Sequence, residues 1–237
     1  MHPFRRASVL TAAMLLVALV AAVLAAELLP DLEQEPLESV RKNPTAMSAA
    51  ALAYLLAAGT SVGVALALHP VLRRIGRTVA LTAVLFRAIE AAMYTLAVVF
   101  LLGLGPLSDR VHSGTVDREM AATVAGVLLD LRGLATLAGV LAFVVGALVY
   151  YVALLRSRLV PVWLSGWGAA GAVLMATACL LSLVTGNPIT GYLWAVLPIA
   201  VQEAVFAVWL LVKGFSSRGR HDGDRLAAEP RLSALDR

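Results

Sequence analysis

Residues 78–102 form one long apolar run with two ionisable residues, Arg87 and Glu90, near its middle. A run of that length spans a bilayer, which takes about 20 residues. Charge inside such a segment costs several kcal/mol and faces a protein interior, a partner or a cavity. Arg87 and Glu90 stand three residues apart, so they share one helix face. Any fold for this chain has to give that face partners. Comparable apolar stretches lie at about 7–29, 47–68, 131–155, 162–185 and 192–212. The expected fold class is therefore all-α: an integral membrane helical bundle of about six transmembrane helices.

Composition agrees. The chain is 60% hydrophobic and 14% charged, where a soluble domain has about 25% charged residues. Its net charge is +4, carried by arginine; the lysines are Lys42 and Lys213. The arginines flank the apolar runs, where membrane topology places them, so no nucleic-acid partner is expected. The partners expected are the lipid bilayer and a small polar solute or ion. The lone Cys179 can form no intramolecular disulfide.

Taken in order, the first run follows Arg5 and Arg6 and ends in small residues, as a cleavable signal peptide would. It is longer than the apolar core of about 7–15 residues in such a peptide, so a retained helix is expected. The segment 27–42 carries Glu27, Asp31, Glu33, Glu35 and Glu38. With Pro30 and Pro36 blocking a continuous helix, it is expected to be an exposed loop without calcium-loop spacing. Gly59 and Gly63 suit close helix approach, and His69-Pro70 is expected to end the second span. After Gly103, Gly105 and Pro106, the charges Asp109, Arg110, His112, Asp117, Arg118 and Glu119 suggest a loop.

Residues 120–155 would run about 54 Å as one helix, against a hydrocarbon core of about 30 Å. A break near Asp130-Leu131-Arg132-Gly133 is expected, leaving a short outer or re-entrant helix near 117–130 and a span over 131–155. Gly166, Gly168 and Gly171 match GxGxxG. They lie inside a span, without the strand that a dinucleotide site needs, and are read as helix packing. Residues 1–215 then form a single transmembrane domain, followed by a disordered polar cytoplasmic tail over 216–237.

With six spans, one side of the membrane carries Arg5, Arg6, Arg73, Arg74, Arg77, Arg156, Arg158, Lys213, Arg218 and Arg220. The other carries Arg41, Lys42, Arg110 and Arg118. This excess predicts both termini inside, and the Ala- and Arg-rich usage suits a bacterial cell (plasma) membrane.

Counting residues from the span ends places Arg87 about 14 Å, Glu90 about 18 Å and Glu203 about 15 Å deep, near the midplane. Tyr94 extends the Glu90 stripe. Asp130 and Arg132 fall near the outer end of the fourth span and, two residues apart, need separate partners. Gln202, about 100° around the helix from Glu203, suits an interhelical hydrogen bond. The candidate polar cluster is thus Arg87, Glu90, Tyr94, Asp130, Arg132, Gln202 and Glu203. It suits small-solute, ion or proton handling, or sensing. The alternative is a structural or accessory subunit whose charges only lock helix packing. No HExxH motif, nucleophile elbow or intramembrane histidine is present, so no catalytic residue, cofactor or metal is expected and the chain reads as a non-enzyme.

Four segments occur in a fixed order: Phe86-Arg87-Ala88-Ile89-Glu90-Ala91, Leu128-Leu129-Asp130-Leu131-Arg132-Gly133, Leu155-Arg156-Ser157-Arg158-Leu159-Val160-Pro161, and Leu197-Pro198-Ile199-Ala200-Val201-Gln202-Glu203. Val208-Trp209-Leu210-Leu211-Val212-Lys213-Gly214 follows them. In this order and spacing, residues 8–215 resemble the bacterial membrane proteins of domain-of-unknown-function family 4386. The resemblance implies a multi-helix integral membrane protein. It marks Arg87, Glu90, Asp130 and Glu203 as the family's polar positions and implies no substrate.

Overall fold

The computed structural model describes residues 3–32 and 34–216. Beyond Ser216, the expected polar tail lies outside the described residues, as does Glu33. The helices are α1 (Pro3–Leu28), α2 (Pro36–Lys42), α3 (Pro44–Ile75), α4 (Arg77–Leu102), α5 (Leu104–His112), α6 (Arg118–Ser157), α7 (Val162–Thr185) and α8 (Leu193–Val212). A 3-10 turn, Ile189–Tyr192, leads into α8. Six of these are long and apolar enough to cross a membrane, with α4 and α5 read together as one crossing. The protein is an all-α, multi-pass membrane protein.

The six long helices pack in chain order. Helix α1 lies on α3, α3 on α4, α4 on α6, α6 on α7 and α7 on α8. Helix α8 returns to α1, so the sequence closes into a ring. In this ring α4 and α8 occupy opposite positions. Small residues let the backbones approach. A Cβ on Gly63 would meet Met14 Sδ of α1 at 2.8 Å, and one on Gly171 would meet Ile199 Cβ of α8 at 3.1 Å. This is the packing use of glycine common between spanning helices. Large side chains fill the half nearer the arginine-rich rim: Leu68, Leu72, Tyr151, Leu154, Phe206 and Leu210 are all fully buried.

Several local expectations are corrected. Helix α3 does not stop at His69-Pro70 but continues through Pro70 to Ile75. Proline removes one backbone hydrogen bond, and neighbouring helices support such a defect within a bundle. The expected break at 130–133 is absent. Helix α6 runs unbroken for 40 residues, capped by the Asp117 carboxylate, which accepts from the amides of Glu119 and Met120. That is about 60 Å, twice the hydrocarbon thickness, so one unbroken helix takes the place of the expected short helix and span. Its sequence has no proline to break it.

The two segments expected as loops contain short helices, α2 and α5. Ser108 Oγ donates to Leu37 O at 2.7 Å across them. They share a second apolar cluster with α3, α4 and α6, formed by Val40, Met47, Leu101, Leu104 and Ala125. Amphipathic helices thus cap one end of the ring. On α2, the Arg41 guanidinium hydrogen-bonds Glu38 at 2.7 Å and pushes its carboxyl down to about 2.

Candidate functional site

Arg87 projects from α4 into the ring, and four helices meet it. Its Nη1 donates to Ser61 Oγ of α3 at 3.0 Å and to Glu90 Oε2, one turn further along α4, at 3.3 Å. Its Nη2 donates to Tyr150 OH of α6 at 3.0 Å and to Glu203 Oε1 of α8 at 3.1 Å. The hydroxyls close the network. Ser61 donates to Glu90 Oε2 at 2.8 Å, and Tyr150 donates to Glu203 Oε1 at 3.3 Å. The Arg87 guanidinium also stacks over the Phe143 ring, 4.5 Å from its centroid, a favourable cation–π position. Because α4 and α8 stand opposite each other, the Arg87–Glu203 ion pair crosses the middle of the bundle.

Burial is uneven. The side chains of Arg87 and Glu90 are each 5% exposed, whereas that of Glu203 is 22% exposed. Arg87 Nε is buried and has no hydrogen-bond acceptor among the described residues. In a low-dielectric interior such an orphaned donor is unusual and calls for an explanation. One guanidinium faces two carboxylates, so with both ionised the group would carry one negative charge in excess.

Of the candidate residues, Arg87, Glu90 and Glu203 converge. Gln202 makes the interhelical bonds anticipated for it: Nε2 donates to Leu164 O of α7 at 3.1 Å, and Oε1 accepts from Tyr151 OH. Tyr94 is half-buried, with its ring against α6; a Cβ on Gly139 would lie 3.0 Å from Tyr94 Cε1.

Asp130 and Arg132 are not part of the site. Asp130 is exposed, and Arg132 is half-buried. Arg132 lies 5.7 Å over the Tyr54 ring of α3 and donates to its hydroxyl at 3.5 Å. The unbroken α6 explains the difference. Arg132 sits 18 residues, about 27 Å, from Tyr150 along the axis, too far for its side chain to reach the central network.

Three members escaped the sequence reading: Ser61, Phe143 and Tyr150. A signal for Tyr150 existed, since a buried tyrosine hydroxyl inside an apolar span needs a partner. Ser61 sits in a small-residue stretch that offered nothing to distinguish it.

A domain of unknown function, DUF4386, matches residues 7–214 of the chain. The chain belongs to this family. No curated protein and no solved structure matches it. In this DUF4386 chain the matched region runs from the second turn of α1 to just past α8, so it contains every member of the charged crossing. The GxGxxG glycines are packing positions here: Gly168 faces Tyr151 and Gly171 faces Ile199, while Gly166 has open space.

Proposed function

We propose that this DUF4386 protein handles protons, or a small polar solute that carries one, at the Arg87–Glu203 crossing. The observation behind this reading is the unbalanced charge combined with the unequal exposure. Glu90 is sealed with Arg87 and Ser61, whereas the Glu203 side chain remains 22% exposed. Uptake of one proton or one monovalent cation neutralises the excess charge. Hydroxyls of Ser61 and Tyr150 stand against the two carboxylates as donors, and Arg87 Nε–H is a buried donor without an acceptor among the described residues. Ionisable groups inside membrane helices commonly mark ion and proton paths.

The test is an imposed pH gradient across vesicles holding the purified protein and an internal pH-sensitive dye. Wild type is expected to dissipate the gradient faster than Glu203→Gln and protein-free vesicles. Equal decay in all three refutes the proposal.

The second reading is a structural lock. It is favoured by the near-complete burial of Arg87 and Glu90 and by the four helices their network ties together. We also read the chain as a bacterial plasma-membrane protein with both termini cytoplasmic and no catalytic activity of its own. The arginine excess on one face and the lack of a nucleophile motif support this.

A further inference from the structure

The geometry points to an anionic-phospholipid site on the arginine-rich rim, where the α6–α7 turn meets the end of α8. Three observations bring it together.

The first is backbone strain. Among the described residues, Arg158 is the one non-glycine residue with positive φ, at 50°. It caps the C-terminus of α6 in the left-handed conformation, a position ordinarily taken by glycine or asparagine. A helix C-terminus attracts cations, which accounts for Arg156. It does not account for a bulky side chain held in a disfavoured backbone conformation, which points to a role for the guanidinium itself.

The second is convergence. Ser216 N donates to Leu159 O at 2.8 Å, and Phe215 N donates to Ser8 Oγ at 3.3 Å. These bonds fold the end of α8 onto both the α6–α7 turn and the start of α1. Arg156, Arg158, Lys213 and Arg5 are all exposed at this corner. No Asp or Glu occurs in segments 3–8, 154–166 or 209–216.

The third is an aromatic pair. Trp163, at the start of α7 and 54% exposed, meets Trp209 of the last turn of α8 edge to face at 6.3 Å and 89°. Tryptophan favours the membrane–water interface, so the cations beside it stand at phosphate depth. The neighbouring exposed valines, Val162, Val208 and Val212, offer acyl chains an apolar wall. Arginine matches phosphate oxygens with paired donors, and an anionic leaflet adds attraction for each cation. The occupant is a phospholipid with a net negative headgroup, independent of any proton handling at Glu203.

The test is thermal melting of the full chain in detergent with added phosphatidylglycerol, phosphatidylcholine or inorganic phosphate. Phosphatidylglycerol at about 100-fold its Kd is expected to raise Tm by about 5–10 °C, with the other two having no effect. Arg158→Gly relieves the backbone strain, so this variant is expected to melt at or above the wild-type temperature without lipid and to lose at least half of the lipid increment. Three results would each overturn the assignment: equal shifts with both lipids, a full increment in Arg158→Gly, or the same shift from inorganic phosphate alone.

Discussion

Arg87→Ala is the perturbation with the largest consequence. It removes the guanidinium that faces both Glu90 and Glu203 and leaves Ser61 and Tyr150 without their shared partner. Deleting one member of a buried ion pair costs about 3–5 kcal/mol, because the remaining charge stays buried and uncompensated. For a chain of this size Tm falls by about 2–4 °C per kcal/mol, so a drop of about 6–20 °C is expected. Glu203→Gln behaves differently if the carboxylate is the exchanging group. It removes one of the two carboxylates that face Arg87, keeps an acceptor oxygen for Arg87 and alters a side chain that is 22% exposed. Its Tm is expected within about 4 °C of wild type, equivalent to about 1 kcal/mol. The assay is a thermal melt in detergent followed with a thiol-reactive dye, since Cys179 is buried until the bundle opens. If Arg87→Ala melts within about 2 °C of wild type, the network is not a buried ion-pair system and the reasoning fails. If Glu203→Gln falls as far as Arg87→Ala, the structural lock replaces the proton site.

Gly168→Ala places a Cβ 2.5 Å from Tyr151 Cε1 and disturbs the Tyr151–Gln202 bond. Overpacking of this kind costs about 1–3 kcal/mol, read as a lower Tm, whereas Gly166→Ala, with open space around it, is expected to be silent. Arg132→Ala loses a half-exposed contact with Tyr54 worth about 1 kcal/mol or less. It is expected to leave both Tm and gradient decay near wild type; a collapse comparable to Arg87→Ala would return Arg132 to the central network.

Much of this architecture is written in hydropathy. Runs of about 20 apolar residues leave few alternatives to spanning helices, and those six stretches became the long helices of the ring. Arg87, Glu90 and Glu203 were legible for the same reason: charge in an apolar run is expensive, so its position alone signals a buried partner. Gln202 was readable as a helix–helix bond. Asp130 and Arg132 misled because depth was counted from an assumed helix break. Nothing in the local sequence states whether a 40-residue apolar-rich stretch bends at a glycine or continues into water. Pro70 misled in the opposite sense, since a helix can survive a proline where tertiary neighbours hold it together.

The sequence by itself determined the helical class, the number of long helices and the presence of charge buried between them, because each follows from local composition against the thickness of a bilayer. Only the tertiary structure decided which charges meet. Closing six helices into a ring sets α4 opposite α8, and that places Glu203 across from Arg87, 116 positions away in the chain. It also brings Ser61 and Tyr150 in from the sides and leaves Glu203 the more exposed side chain of the two glutamates. Pairing over such separations depends on helix order, rotation and tilt, which are fixed by packing among all six helices at once and by no local stretch of residues.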